Sequence, residues 1–185
     1  LGGGDQDILG LQRDGGEVEV LLLFVRQGKL LGKRSWSVEW RLDINELISD
    51  FLRQYYGSGV IIPDQILLPE SLDDAELLGD WLTELRGRKV QISTPQRGDK
   101  KRMVLMACRN AEDEKRQRGS KKEARGKVLD EIRQRFYLPE LPQRIECFDI
   151  SNIQGAYSVG SMAVLLDGEA APKEYRRYKI KTVEG

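Results

Sequence analysis

The chain has 185 residues, with 30 Lys and Arg balancing 30 Asp and Glu, so its overall charge argues neither for nor against a nucleic-acid partner, and only the local distribution of charge can do so. A hydrophobic content of 39% is enough to fill a core, and the balanced 32% of charged residues excludes a disordered polyelectrolyte. The absence of histidine, with Cys108 and Cys147 far apart, argues against structural zinc; both cysteines read as buried thiols of a reducing compartment, and the expected location is cytoplasmic. No apolar run reaches membrane length, so no membrane association is expected. The opening LGGGDQD has no starting Met and reads as a cut from a longer protein.

A first unit is expected from Asp7 to Asn110. Ile8 to Arg13, Val18 to Arg26 and Leu30 to Val38 read as three antiparallel strands joined by Asp14-Gly15-Gly16 and Gln27-Gly28 turns. The period then changes from two to 3.6. Asp43 and Glu46 read as a capping pair for a helix whose apolar face is Leu47, Ile48, Phe51, Leu52 and Tyr55. Gln65 to Leu68 is a short strand, Ser71 with Asp74 caps a second helix, and Val90 to Ser93 is a fifth strand. A further helix begins near Lys100. The order β-β-β-α-β-α-β-α predicts an α/β unit with a mixed sheet covered by helices, which is the order of the ribonuclease H-like fold, with a plain α+β sandwich as the alternative. Trp36, Trp40 and Trp81 read as packing residues rather than base-stacking platforms.

Residues 111–142 read as a basic helical linker, within a proline-free stretch from Lys100 to Tyr137 that predicts one long helix or two with a break near Gly119-Ser120. Nine basic residues lie between Lys115 and Arg135, opposed only by Glu123, Asp130 and Glu131. Lys121, Lys122, Arg125 and Lys127 are the candidate phosphate contacts in this run; the alternative is an ordinary solvated helix face.

Residues 143–185 begin a second unit. Ile145 to Gly155 reads IECFDISNIQG and places Asp149 inside an otherwise apolar strand, on the face of Ile145 and Cys147. A carboxylate there is costly unless it is hydrogen-bonded, paired or bound to metal, which makes Asp149 the first candidate for chemistry. Ser158 to Leu166 and Tyr175 to Lys181 read as second and third strands around an Asp167-Gly168 turn. The apolar strand, x-Gly turn and basic-aromatic strand repeat the opening of the first unit, so two related modules are expected, the second truncated. The first module's opening strand, ILGLQ, shows no counterpart to Asp149. In KEYRRYKIK, alternation separates Arg177 and Lys179 from Arg176; all three are candidate DNA contacts. Glu169, Glu174 and Glu184 could complete a metal shell only if the fold brought them close to Asp149.

The segment from Ile145 to Gly185 resembles the start of the catalytic domain of the UvrC family, incision endonucleases of bacterial nucleotide excision repair. The family pattern is an ECFDISH-x-QG strand and turn, a VAS-M strand and a YRRF-x-IK strand, which ECFDISNIQG, VGSM and YRRYKIK resemble here. ILLPESL, LRGRKVQISTPQRGDKKRMVLMACRNA and FYLPELPQRIECFDIS extend the resemblance over nearly all of the chain. The resemblance implies a metal-dependent DNA endonuclease that incises damaged double-stranded DNA 5′ of a lesion, with UvrB as partner and Mg²⁺ or Mn²⁺ as cofactor. It places the first aspartate of an Asp-Asp-His set on Asp149; the second aspartate and the histidine belong to later segments that this chain lacks, so the isolated chain is expected to be inactive. Cys147, Ser151, Asn152, Gln154 and Gly155 belong to the motif. The family's usual histidine after DIS is Asn152 here, a residue that keeps hydrogen-bonding capacity but cannot titrate. A non-catalytic DNA- or protein-binding module is the alternative reading.

Overall fold

The computed structural model describes residues 4–153 and 156–180, without the side chains of 152–153 and 156–158. The chain divides into two compact units, Leu1–Arg118 and Gly119–Gly185.

The first unit is built on strands β1 (Gln6–Asp14), β2 (Glu17–Arg26), β3 (Lys29–Glu39), β4 (Gln65–Leu67) and β5 (Gln91–Ser93), with helices α1 (Ile44–Gly57) and α2 (Ala75–Arg86) between the later strands. The sheet order is β3-β2-β1-β4-β5. β1, β2 and β3 are antiparallel, whereas β4 and β5 continue the sheet in parallel from β1. This is the α/β, ribonuclease H-like arrangement expected from the strand and helix order.

The sequence of β2, EVEVLLLFVR, explains its central place. Val18, Val20 and Leu22 join one core with Leu47, Ile48 and Leu52 of α1 and Leu78 and Leu82 of α2. Leu21, Leu23 and Val25 join a second core with Val104, Ala107 and Ala111 of helix α3 (Gly98–Arg135). A strand covered on both faces must be apolar at consecutive positions. α3 runs so close to β1 that a Cβ on Gly10 would lie 2.2 Å from the backbone of Ala107. Gly10 therefore admits the helix, and ILGLQ has no room for a side chain there.

Local signals set the boundaries. Gln27-Gly28 and Asp167-Gly168 both take positive φ at their two residues, the geometry of a tight hairpin turn. Asp43 caps α1 by accepting from the Asn45 amide, and Gly87 ends α2 in the left-handed conformation. The expected Ser71–Asp74 capping pair is not formed. Asp74 is the N-cap but makes no side-chain cap bond; its carboxylate accepts instead from Ser49 and Arg53 of α1. α3 is one unbroken helix, so the alternative of a break near Gly119-Ser120 is not realised. Two helical glycines cost about 1 kcal/mol each relative to alanine, too little to stop a helix of this length.

The second unit holds the C-terminal part of α3 and strands β6 (Arg144–Ile153), β7 (Ala156–Leu166), β8 (Glu169–Ala170) and β9 (Arg176–Lys179), with a 3₁₀ turn at Pro172–Glu174. β6, β8 and β9 all pair antiparallel with β7. Among its described residues Met162 and Val164 are the buried apolar side chains, and Phe148 and Ile150 stand 60% and 69% exposed. It is the less elaborated of the two modules.

Among the described residues, no helix is long and apolar enough to cross a membrane.

Candidate functional site

The register of the second sheet sets what surrounds Asp149. Asp149 pairs with Ser161 on β7, and Ser161 pairs with Arg177 on β9. Paired residues share a face, so Asp149, Ser161 and Arg177 form one row across three strands, spanning about 10 Å between its ends. The next row is Ser151, Val159 and Lys179. The Ser151 hydroxyl donates to Asp149 Oδ2 at 3.1 Å. The result is an exposed carboxylate beside two hydroxyl residues, with an arginine and a lysine on the same face.

Two expectations need correction. Asp149 lies in a strand but is not desolvated; its side chain is exposed. Cys147 is exposed rather than buried, and Cys108 is half-buried. Strand periodicity places Asp149 and Cys147 on the face of Ile145 but does not say what covers that face. α3 covers its far end, where Leu129 reaches Gly168 and Val128, Leu129 and Ile132 line a small hollow with Ile145 and Leu165.

The basic candidates separate. Arg177 and Lys179 share the Asp149 face, whereas Arg176 pairs with Met162 on the opposite face and donates to the carbonyls of Lys173 and Tyr175. On α3, steps of about 100° per residue place Lys121, Lys122 and Arg125 within one arc and Lys127 about 240° away from Lys121. Lys121 and Lys122 are exposed. Arg125 is half-buried in an ion pair with Glu169, and Lys127 pairs with Glu123 at 2.8 Å. The four residues do not make one ridge. Asn152 lies in β6, where its side chain is outside the described set, and Gln154, Gly155 and Glu184 lie outside the described residues.

Asp149 and Ser151 offer hard oxygen donors of the kind that bind Mg²⁺ or Mn²⁺. Glu169 is held by Arg125, and Glu174 lies 3.6 Å from Arg144. Among the described residues, no three His, Cys, Asp or Glu side chains are grouped to hold a metal ion. The donors present therefore fit one corner of a metal shell and do not complete it.

Sequence reasoning passed over a second carboxylate. Asp7, in β1, is 1% exposed. It accepts from Arg26 Nη1 and from the Tyr56 hydroxyl, each at 2.7 Å. Burial raises its pKa against the lowering effect of these two donors, and burial together with the nearby Asp7 pushes the Tyr56 phenol well up. Asp7 is thus enclosed, with a donor on each oxygen, whereas Asp149 is exposed. Its one sequence signal was an acid just before ILGLQ, which looks like a strand end.

Comparison with known proteins follows the same division. Residues 5–118 match the family described as UvrC Ribonuclease H-like domain, and residues 133–185 match UvrC RNAse H endonuclease domain. A "UvrABC system protein C" from Syntrophotalea carbinolica is 55% identical over 184 residues, covering 100% of this chain and 30% of that protein. Those of Geobacter metallireducens and Geotalea daltonii are each 44% identical, covering 99% and 98% of this chain and 30% and 29% of theirs. The chain therefore spans about 30% of the length of the curated relatives it matches. Among solved structures, "Structural Study of the Aquifex aeolicus PPX-GPPA enzyme" aligns with 95% of this chain and 53% of that one. Its 12% identity and TM-score of 0.20 support no argument.

Proposed function

Because the chain belongs to the UvrC family, we propose that it is part of a cytoplasmic DNA-repair endonuclease that incises damaged double-stranded DNA 5′ of the lesion, in a complex with UvrB. The observation that carries the reading is the row Asp149–Ser161–Arg177. A hydrated carboxylate at one end can serve as a ligand to Mg²⁺ or Mn²⁺. The cations Arg177 and Lys179 on the same face can hold the phosphate backbone beside it. A bound divalent ion supplies Lewis-acid stabilisation of charge on the phosphate and orients water. The chain's own contribution is the first carboxylate and the phosphate-holding cations; the remaining ligands come from outside the described residues. The domain division proposed is a degenerate module over 7–110, a basic helical linker over 111–142 and the opening strands of the catalytic module over 143–185.

A non-catalytic role is favoured for the first module by the state of Asp7. A carboxylate 1% exposed, with one oxygen held by Arg26 and the other by Tyr56, is shut off from an ion arriving from solvent.

The test is Asp149→Asn in the full-length protein, assayed on a lesion-containing duplex labelled so that incisions on the two sides are resolved. Loss of 5′ incision with unchanged folding and DNA association is expected, because an exposed side chain contributes little to packing. Wild-type 5′ incision by Asp149→Asn removes this residue from the mechanism.

A further inference from the structure

The first unit carries an open groove of about 310 Å³ between edge strand β3 and helix α1. Arg34, Trp36 and Val38, alternate residues of β3, form one wall, and Phe51, Gln54 and Tyr55 of α1 form the other. Trp36 meets Phe51 and Tyr55 edge-on, with ring centroids 5.0 and 5.3 Å apart, and Phe51 and Tyr55 stack in parallel at 5.7 Å. All three rings are only half-buried. The Arg34 guanidinium lies 5.0 Å from the Trp36 ring centroid.

The α1 side of the core closes around Leu47, Ile48, Leu52 and Tyr56, each at most 4% exposed. Trp36, Phe51 and Tyr55 pack against it at the sheet edge and still present half-exposed ring surface to the groove. The groove lining includes one cation and no carboxylate. The neighbouring basic residues differ: Lys33 pairs with Glu114, and Arg53 with Asp74. Arg34 rests on an aromatic face instead. A half-exposed aromatic shelf with an unneutralised guanidinium is complementary to a ligand that offers a flat π-face and a negative charge one bond system away. An unpaired nucleotide in a DNA strand has both features. An acidic or proline-rich peptide would meet either the charge or the shelf, but not both at each repeat unit.

The geometry points to this groove as a binding site for single-stranded DNA, with a base stacked on the Trp36 indole, Tyr55 edge-on beside it, and a backbone phosphate on Arg34. On binding, the base takes the indole face that Arg34 now covers, and the guanidinium turns to the phosphate. No bond is made or broken. The site is separate from Asp149 and uses none of its residues; DNA as the source of the ligand rests on the repair-nuclease reading.

The experiment is photocrosslinking of an oligonucleotide carrying 5-iodo-deoxyuridine to the full-length protein, with adducts located by mass spectrometry. Adducts on Trp36 or Tyr55 are expected. They should fall about tenfold in Arg34→Glu, a loss comparable to removing one stacked base, and stay unchanged in Arg13→Glu, which makes the same charge change outside the groove. An abasic deoxyribose-phosphate strand of the same length should compete poorly. Equal competition by the abasic strand, adducts only at other residues, or an equal effect of Arg34→Glu and Arg13→Glu would each overturn the proposal. So would occupation of the groove only by a protein partner, read as loss of that partner in Arg34→Glu with single-strand adducts absent from Trp36 and Tyr55. Arg34→Lys separates charge from stacking: it should retain phosphate attraction yet recover only part of the adduct yield. Incision by Arg34→Glu on the lesion duplex distinguishes the two readings. Retained 5′ incision with lost adducts leaves the nuclease reading standing, and intact adducts in an incision-dead Asp149→Asn protein leave this one standing.

Discussion

Replacing Tyr56 by Phe removes one oxygen atom and leaves the rest of the side chain in its fully buried place. The lost group is the donor to Asp7 Oδ2 at 2.7 Å, while Arg26 continues to hold Oδ1. A hydrogen bond to a charged group contributes about 1.5–3 kcal/mol, and an oxygen left buried without a donor carries its desolvation cost in full. Unit 1 should therefore lose about 2 kcal/mol at neutral pH. The sign of the pH dependence follows from burial. Asp7 has its folded pKa raised above the unfolded value, so its titration favours the fold below the unfolded pKa, and that contribution is lost as pH rises through the folded pKa. Removing a donor to the carboxylate raises the folded pKa further. The penalty of Tyr56→Phe should be largest where the carboxylate is ionised in both proteins and should shrink in acid, where the group is neutral in both. Urea unfolding followed by tryptophan fluorescence isolates this effect, because Trp36, Trp40 and Trp81 all lie in the first unit. A loss below about 0.5 kcal/mol that is the same in acid and at neutral pH would refute the reasoning, since an ordinary neutral hydrogen bond is worth at least that much.

Gly10→Val should destabilise the first unit by about 1–3 kcal/mol or shift α3, because its Cβ would meet the Ala107 backbone; urea midpoints check this. Glu19 is 1% exposed, lies 3.2 Å from Arg118, and has no hydrogen bond to either oxygen. Glu19→Met should be neutral or stabilising by about 1 kcal/mol, since a buried charge without hydrogen bonds gives up little when replaced by an apolar group; a clear loss in thermal unfolding would contradict this. Reversing Lys121 and Lys122, the exposed pair on one arc of α3, should lower the slope of log affinity for duplex DNA against log salt by up to about 0.9 per lost contact. Filter binding at several salt concentrations reads the slope, and reversing Lys127 on the far side should not change it. In hydrogen exchange, amides of β2, covered on both faces, should outlast those of residues 146–151 in β6 and of β9, whose side chains are exposed.

Much of the first sheet was legible because its signals are local. A continuous apolar run marks β2, x-Gly pairs mark the turns, and a left-handed Gly87 marks the end of α2. Asp149 was legible as an acid in an apolar strand, and its face followed from alternation. Its exposure was not, because period two gives a direction but not what lies in it. Asp7 was hidden for a related reason: its partners Arg26 and Tyr56 lie 19 and 49 residues away. The arrangement of the lysines and arginines was not legible either, since counting charge along a sequence ignores the angle around the helix. That angle sends Lys127 to Glu123's side and leaves Arg125 with Glu169.

In the mechanism proposed for 5′ incision, an Asp149 oxygen is a metal ligand. The most direct measurement replaces it with a softer donor. Full-length Asp149→Cys is assayed for 5′ incision with Mg²⁺, then with Cd²⁺. A thiolate is a poor ligand for Mg²⁺ and a good one for softer ions. No 5′ incision is expected with Mg²⁺ and recovery with Cd²⁺, while incision on the other side of the lesion continues in Mg²⁺. Wild-type 5′ incision by Asp149→Cys in Mg²⁺ would contradict that role for Asp149.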